Sequence, residues 1–264
     1  MVLPVRRWMI LAVALVVLAL ALPRAAQAGV CGRALSMATG QWEPYGYYDA
    51  GNRFTGIDAD MVRAIVKEAG CQLVELDYKP ALRNLALFEK GEIDLMTGAS
   101  RTPARLKIAW FSQAYRDETV GMFALAEHAW RYAKIRSFAD FLAAPLTLVV
   151  PRAGWYGVPY ESAAAWLHKS GRLSRFGEPS HGIQMLAAGR ANFIMGDAAA
   201  VEHAAARACV KVQPLPFWVV QAPVHLMFRR TTLNQADVVR IDAAITRLRK
   251  RGVFEQIRRG YGGA

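Results

Sequence analysis

Short apolar runs alternate along the chain with segments whose apolar residues recur every three or four positions. The first alternation predicts a strand at residues 33–38, an aromatic loop at 39–48 and then a helix. The buried face of that helix is predicted to contain Met61, Val62, Ile65, Val66 and Ala69. Strands that alternate with helices are typical of an α/β protein with a mainly parallel sheet, whose ligands lie beyond the carboxyl ends of the strands.

The same order continues after Gly70, which is predicted to end the first helix. A strand is predicted at 71–77 and a second helix at 81–90, with Leu82, Leu85 and Phe88 as its buried face. The next strand begins near Ile93. The first hundred residues therefore predict a βαβαβ arrangement.

A second alternating set follows a long extended segment at 119–126. Later strands are predicted at 146–150, 191–195, 212–216 and 224–228, and later helices after Ser137, at 163–169, at 182–188 and from Asn234 or Thr232 onward. Residues 217–223 separate two of these strands. Segments 119–126 and 217–223 can each pass from one lobe of a two-lobed protein to the other.

Residues 98–105 connect a predicted strand to a predicted helix. Thr102 is a suitable N-cap and Pro103 suits the first helical position. Arg105 then lies in the first turn, where a cation opposes the helix dipole unless it faces an anion such as a carboxylate. The alternative is a solvated arginine on an ordinary capped helix.

The first 28 residues have the pattern of a secretory signal peptide. Arg6 and Arg7 precede an uncharged apolar run at 8–22, and Ala26 and Ala28 provide a small-residue cleavage site. The apolar run is shorter than the ~20 residues of a membrane span. We therefore expect export to the periplasm and removal of residues 1–28.

The chain is basic, with 33 Lys and Arg residues against 21 acidic ones and a formal net charge of +12. A basic balance can indicate nucleic acid, an anionic membrane surface or an anionic ligand. The cations are scattered rather than clustered on one predicted helix. We therefore interpret them as a solvated surface and expect no nucleic-acid partner.

Three cysteines occur in what should be an oxidising compartment. Cys31 precedes the first predicted strand and Cys71 begins the second. Because parallel neighbours in a βαβ unit start at the same edge of the sheet, we expect a Cys31–Cys71 disulfide with Cys209 left as a free thiol. The alternative is three buried, reduced cysteines.

The order of motifs resembles family 3 extracellular solute-binding proteins, the polar amino acid receptors of bacterial ABC importers. The residues that carry the resemblance are the aromatic loop, Gly56–Asp60, Gly91–Leu95, Ser100–Arg105, Phe111–Tyr115 and Lys250–Ile257. The resemblance implies a two-lobed periplasmic-binding-protein fold, each lobe a mainly parallel sheet flanked by helices, with two hinge crossovers. It places lobe 1 at 29–118 and 222–264 and lobe 2 at 119–221, and the lobes close over the ligand.

The resemblance also assigns roles in the first lobe. Arg105 matches the arginine that pairs with the ligand α-carboxylate. Ser100 and Thr102 would add donors, and the carbonyl of Gly98 would face the amine. Trp42 lies where an aromatic ring covers the ligand side chain, although a loop aromatic can also serve only to pack the lobes.

In the second lobe, Asp197 matches the aspartate that binds the α-ammonium, and its alternative role is that of a helix N-cap. Two departures concern the rest of the ligand. Ala81 stands where the family usually has an aromatic residue, with Tyr78 as a possible substitute. Gly154–Trp155 replaces a glycine–threonine turn, so Trp155 and Tyr156 can line a pocket for an unusual amino acid, a small peptide or an opine-like compound.

The alternatives from other classes are an enzyme resembling cyclohexadienyl dehydratase and a periplasmic sensory protein, because the same fold carries both. Such chemistry would need a general acid beside an apolar pocket, and Glu43 is the candidate. The alternative is that Glu43 is simply an exposed carboxylate. The histidines lack metal-ligand spacing. We therefore expect a monomeric binding protein without metal or cofactor, whose partners are an amino acid-like ligand and an ABC permease.

Overall fold

The computed structural model describes residues 31–262, so the signal peptide predicted at 1–28 lies outside the described residues. The strands are β1 (Leu35–Met37), β2 (Tyr47–Tyr48), β3 (Phe54–Thr55), β4 (Leu73–Glu75), β5 (Leu95–Ala99), β6 (Ala109–Leu125), β7 (Leu148–Pro151), β8 (Leu173–Phe176), β9 (Phe193–Asp197) and β10 (Val212–Arg229). The α-helices are α1 (Ile57–Glu68), α2 (Ala81–Lys90), α3 (Pro103–Ile108), α4 (Phe138–Ala143), α5 (Val158–Lys169), α6 (Pro179–Ala187), α7 (Ala198–Arg207), α8 (Gln235–Lys250) and α9 (Val253–Gly260). A 3₁₀ helix follows β6 at Ala126–Tyr132.

Eight strands form one sheet in the order β4-β1-β5-β10-β6-β9-β7-β8, and β2 and β3 form a separate hairpin. The pairs within β4-β1-β5 are parallel, as are those within β9-β7-β8. The two halves of the sheet meet at the antiparallel strands β6 and β10. This is the mixed α/β architecture, mainly parallel on each side, that the alternation of strands and helices predicts.

The long strands β6 and β10 pair along almost their whole length, from Val212 opposite Leu125 to Arg229 opposite Ala109. At one end of this pair, β5 pairs with the last residues of β10. At the other end, β9 pairs with Val120–Phe123 of β6. Around Glu118, which lies opposite Ala222, the two strands pair only with each other. The prediction of two strands separated by 217–223 is wrong, because β10 continues through that segment.

Each half of the sheet has its own hydrophobic core. Leu35, Ile65 and Leu226 share one core with Ile241 and Ile245 of α8, so the C-terminal helices return to the first half. The second half is built around a separate cluster that includes Val120, Leu148 and Phe193. The chain thus leaves the first half along β6 and comes back along β10.

Helix α2 has the predicted bounds, but its orientation differs from the prediction. Phe88 is buried as expected, together with Asn84 and Leu87, whereas Leu82 is 53% exposed and Leu85 is only partly buried. The predicted face is wrong because Leu82 and Leu85 face the cavity described below. Apolar spacing alone does not distinguish a core from a cavity wall.

Three predicted helix caps are confirmed. The Thr102 hydroxyl accepts from the backbone N–H of Arg105 at 3.3 Å, and Pro103 occupies the first position of α3. Ser137 caps α4 through the backbone N–H of Asp140. Of the two candidates for α8, Asn234 is the cap, and its first turn closes a reciprocal capping box.

Cys31 and Cys71 form a disulfide whose Cα atoms lie 5.4 Å apart, and Cys209 is an exposed free thiol. Cys71 lies beside the start of β4, the parallel neighbour of β1, as the βαβ argument requires. Among residues 31–262, the helices are too short or too polar to cross a membrane.

Candidate functional site

A cavity of about 510 Å³ lies between the two halves of the molecule. Its first-half wall is formed by residues that follow the carboxyl ends of β1, β4 and β5, and its second-half wall by residues that follow β7 and β8. Ligand sites of open α/β sheets occur at this edge. The cavity is therefore the candidate binding site.

Five of the seven predicted ligand-binding residues line this cavity, namely Trp42, Gly98, Ser100, Arg105 and Trp155. Thr102 does not belong to the wall, because its side chain caps α3. Asp197 does not belong to it either. The structure thus brings the predicted acid-binding group to the cavity but not the predicted amine-binding group.

Arg105 is partly buried on the cavity wall. Its guanidinium donates to the carbonyl of Ser100 at 3.1 Å and forms no ion pair with any residue of the described part of the chain. Burial lowers the pKa of Arg105, and the nearby Tyr156, Glu161 and Glu118 act in the opposite direction. A desolvated cation of this kind is stabilised by an anion, and its planar fork suits a carboxylate.

Arg116, in contrast, is neutralised by a carboxylate of its own. Its Nε and Nη2 donate to the two carboxylate oxygens of Asp58 at 2.6 and 2.9 Å, and both side chains are buried. The guanidinium also lies over the ring of Tyr45, 3.8 Å from the centroid. Burial opposes the charge, but Asp58 holds the pKa of Arg116 above its ordinary value.

Asp197 lies at the junction of β9 and α7 and is 2% exposed. One carboxylate oxygen accepts from the Tyr45 hydroxyl at 2.9 Å and from the backbone N–H of Ala200 at 3.0 Å. Burial raises the pKa of Asp197, while Arg116 and these two hydrogen bonds lower it. The N-cap role, which the sequence left as the alternative, is the one that the structure contains.

The aromatic loop makes direct contacts with the second half. The contacting pairs are Trp42 with Phe176 (rings stacked at 6.2 Å), Tyr45 with Asp197, and Glu43 with His203 at 3.0 Å and Arg207 at 3.4 Å. Beyond the loop, the Tyr78 hydroxyl donates to Glu178 at 2.9 Å. The two halves therefore close over the cavity. Glu43 is neither an exposed carboxylate nor part of the cavity wall, since it faces α7.

Glu118 lines the cavity and was not singled out from the sequence. Its carboxylate forms no hydrogen bond or ion pair within residues 31–262. Burial raises its pKa to about 7, with further upward contributions from Asp197 and Asp58 and downward ones from Arg116 and Arg105. The available signal was an acidic residue that begins an otherwise apolar extended run.

The remaining wall is largely aromatic and apolar. Tyr78, Trp155 and Tyr156 line it, and Ala81 lies where a larger side chain would narrow it. The Tyr156 hydroxyl donates to the carbonyl of Ala153 at 2.6 Å, which fixes the ring beneath the turn at Gly154. Within the described residues, no cluster of His, Cys, Asp and Glu is arranged to hold a metal ion.

Residues 35–264 match the family of bacterial extracellular solute-binding proteins, family 3, and the chain belongs to this family. The arginine-, lysine-, histidine-binding protein ArtJ from Geobacillus stearothermophilus superposes with a TM-score of 0.71 at 18% identity, over 87% of this chain and 94% of that one. An amino acid ABC transporter substrate-binding protein from Streptococcus pneumoniae, bound to L-arginine, gives a TM-score of 0.68 at 18% identity, over 87% and 93%.

A third similar structure is an ancestral amino acid-binding protein described as a precursor of cyclohexadienyl dehydratase. Its TM-score is 0.70 at 19% identity, over 86% of this chain and 94% of that one. At such identities the likeness establishes the two-lobed solute-binding fold. No curated protein sequence matches this chain.

Proposed function

We propose that this protein is a periplasmic receptor that captures an amino acid or a related small zwitterion and delivers it to an ABC importer. The observation that carries the proposal is that the Arg105 guanidinium, on the wall of a cavity between two halves of a family 3 fold, has no ion-pair partner among residues 31–262. A ligand carboxylate would neutralise the charge of this guanidinium and match its planar set of donors. The family membership makes a captured solute the simplest occupant.

Lobe 1 comprises residues 29–118 and 222–264, and lobe 2 comprises 119–221. The boundaries fall in the central part of the β6/β10 pair, where neither strand has an outer neighbour. Closure of the lobes about this pair would signal the loaded state to the permease. A ligand shifts the equilibrium towards closure only if it contacts both lobes, and the cavity has walls from both.

In this proposal the ligand carboxylate binds the Arg105 guanidinium and the polar groups of Ser100, and the carbonyl of Gly98 faces the ligand amine. Trp42 from lobe 1 and Trp155 from lobe 2 cover the ligand side chain. The roomy wall at Ala81 suits a long or aromatic side chain. Two of the similar structures are proteins that bind amino acids, arginine among them, which supports the ligand class.

The test is a thermal-shift screen of the mature protein against the twenty standard L-amino acids. A ligand present at about 100 times its dissociation constant stabilises the folded state by about 2.7 kcal/mol. The Arg105→Ala variant should lose at least about tenfold in affinity for the amino acid that gives the largest shift, because a charge-assisted hydrogen bond is lost. Lys107→Ala, an exposed cation on the same helix, should bind like the wild type. Absence of any shift, or equal binding by Arg105→Ala, contradicts the proposal.

An enzyme of the cyclohexadienyl dehydratase type is the second candidate, and Glu118 is the observation that favours it. A carboxyl group on a cavity wall with a pKa of about 7 is suited to donate a proton at neutral pH. Incubation with arogenate or prephenate and detection of the aromatic product test this candidate. The receptor proposal predicts no turnover above that of the Glu118→Gln variant.

A further inference from the structure

We propose that Glu118, on the central strand β6, binds the ammonium group of the captured ligand, the role that the family resemblance assigns to Asp197. The inference rests on the proposed function, because it needs a ligand that carries both an acid and an amine. It changes which residue recognises the amine and therefore where the ligand lies in the cavity.

Asp197 is already committed to contacts within the protein. One of its two carboxylate oxygens accepts from the Tyr45 hydroxyl and from the backbone N–H of Ala200 in α7, and the residue is absent from the cavity wall. Tyr45 is itself held in place, because its ring lies 3.8 Å from the Arg116 guanidinium. The Tyr45–Asp197 bond therefore joins the two halves and occupies one oxygen of the carboxylate.

Three acidic residues line the cavity: Asp58, Glu118 and Glu178. Asp58 accepts hydrogen bonds from Nε and Nη2 of Arg116. Glu178 accepts from the hydroxyl of Tyr78, an exposed side chain. Within residues 31–262, Glu118 is thus the acidic side chain of the wall that lacks a hydrogen-bond or ion-pair partner.

Glu118 and Arg105 face the same cavity with opposite charges. Each affects the titration of the other, so they lie within electrostatic range, yet they do not form an ion pair. A zwitterion placed between them would give each charge a partner of opposite sign. Isolated charges in a desolvated site are unfavourable, and such a ligand would remove both penalties at once.

The position of Glu118 also connects binding to the hinge. The residue lies opposite Ala222, where β6 and β10 pair only with each other. Arg105 lies on α3, which precedes β6. A ligand held by both residues would tie the first half to the crossing strand itself.

The charged and titratable groups that act on Glu118 come from several elements: Arg116 on β6, Asp58 on α1, Arg105 on α3 and Asp197 on β9, with Tyr156 also nearby. Together with burial, these groups bring the pKa of Glu118 to about 7 when no ligand is bound. An ammonium group binds the ionised carboxylate. Affinity should therefore fall as the pH is lowered through neutrality, and this fall should be absent from Glu118→Gln.

The experiment compares the wild type with Glu118→Gln, using an equimolar mixture of the twenty standard L-amino acids as the thermal-shift probe, then the responsible component and its des-amino analogue. Asp117→Asn, the exposed acidic neighbour on the same strand, is the matched control. We expect Glu118→Gln to lose about 10- to 100-fold in affinity for the amino acid, the range for a hydrogen bond to a charged group. Its affinity for the des-amino analogue should change by less than about threefold.

Asp197→Asn keeps a good capping side chain and an acceptor for Tyr45, so it should retain the wild-type affinity. Loss of affinity in Asp197→Asn with normal binding by Glu118→Gln overturns this inference and leaves the receptor function standing. Equal losses for the amino acid and its des-amino analogue in Glu118→Gln also overturn it, because they indicate a general distortion of the site. A wild type that does not respond to the mixture contradicts the receptor function and this inference together.

Discussion

Two pairs of opposite charges lie on the same cavity wall and differ in whether they are joined. Asp58 and Arg116 form a buried, bidentate ion pair, whereas Glu118 and Arg105 form no ion pair with any of residues 31–262. Arg116 and Glu118 are two residues apart on one strand, so the difference arises from what faces each of them. The joined pair belongs to the folded architecture, and the separated pair is available to a ligand.

Folding depends on the joined pair, and ligand binding depends on the separated pair. Breaking a buried ion pair leaves an uncompensated charge and destabilises the fold strongly. Removing a charge that has no partner relieves a desolvation penalty instead. The same kind of substitution should therefore have opposite effects on the stability of the empty protein at Asp58 and at Glu118.

The largest effect is expected for Asp58→Asn. The substitution leaves Arg116 buried without its counter-ion and should lower the free energy of unfolding by about 3–5 kcal/mol. Urea denaturation of the mature protein measures the change, with Asp117→Asn as the exposed control. A loss below about 1 kcal/mol would mean that Asp58 and Arg116 are no more than a surface-like pair.

A smaller effect of opposite sign is expected for Glu118→Gln in the absence of ligand. The folded-state pKa of about 7 lies above the ordinary value of 4.5, so the folded protein holds this proton more tightly than the unfolded chain. The associated stabilisation is complete below pH 4.5 and is lost as the pH rises through 7. Relative to the wild type, Glu118→Gln should gain up to about 3 kcal/mol at alkaline pH.

The gain should shrink as the pH falls and should disappear in acid. Urea denaturation over a series of pH values measures it, again beside Asp117→Asn. A difference that does not vary with pH would show that Glu118 is not buried as an unpaired acid.

The smallest effect is expected for Tyr45→Phe. The substitution removes one hydrogen bond to the Asp197 carboxylate and keeps the ring over Arg116, so the loss should be about 1–2 kcal/mol in the free energy of unfolding. Because Tyr45 and Asp197 belong to different halves, small-angle X-ray scattering of the empty variant should also report a more open molecule. A variant as stable and as closed as the wild type would show that this hydrogen bond does not hold the two halves together.

Much of the fold follows from local patterns. The bounds of α2, the caps at Thr102 and Asn234, and the proximity of Cys31 to Cys71 depend on nearby residues and on the handedness of βαβ units. Strand β8 was not predicted because its two central residues are exposed and give no clear apolar run. Sequence patterns thus predict those features of the fold that depend on neighbouring residues.

The site is less readable because its decisive contacts are distant in sequence. Asp197 accepts a hydrogen bond from Tyr45, which lies 152 positions away in the sequence. No sequence motif predicts this pair. Arg105 was found because a cation in a first helical turn is anomalous by itself. Glu118 was missed because the lack of a partner becomes visible only when all its neighbours are in place.

The most direct measurement is a crystal structure of the mature protein with the amino acid selected by the thermal-shift screen. We predict that the ligand carboxylate lies on the guanidinium of Arg105 and that the ligand ammonium lies within hydrogen-bond distance of the Glu118 carboxylate, with the Tyr45–Asp197 bond intact. A ligand whose ammonium contacts Asp197 and makes no contact with Glu118 would contradict this assignment.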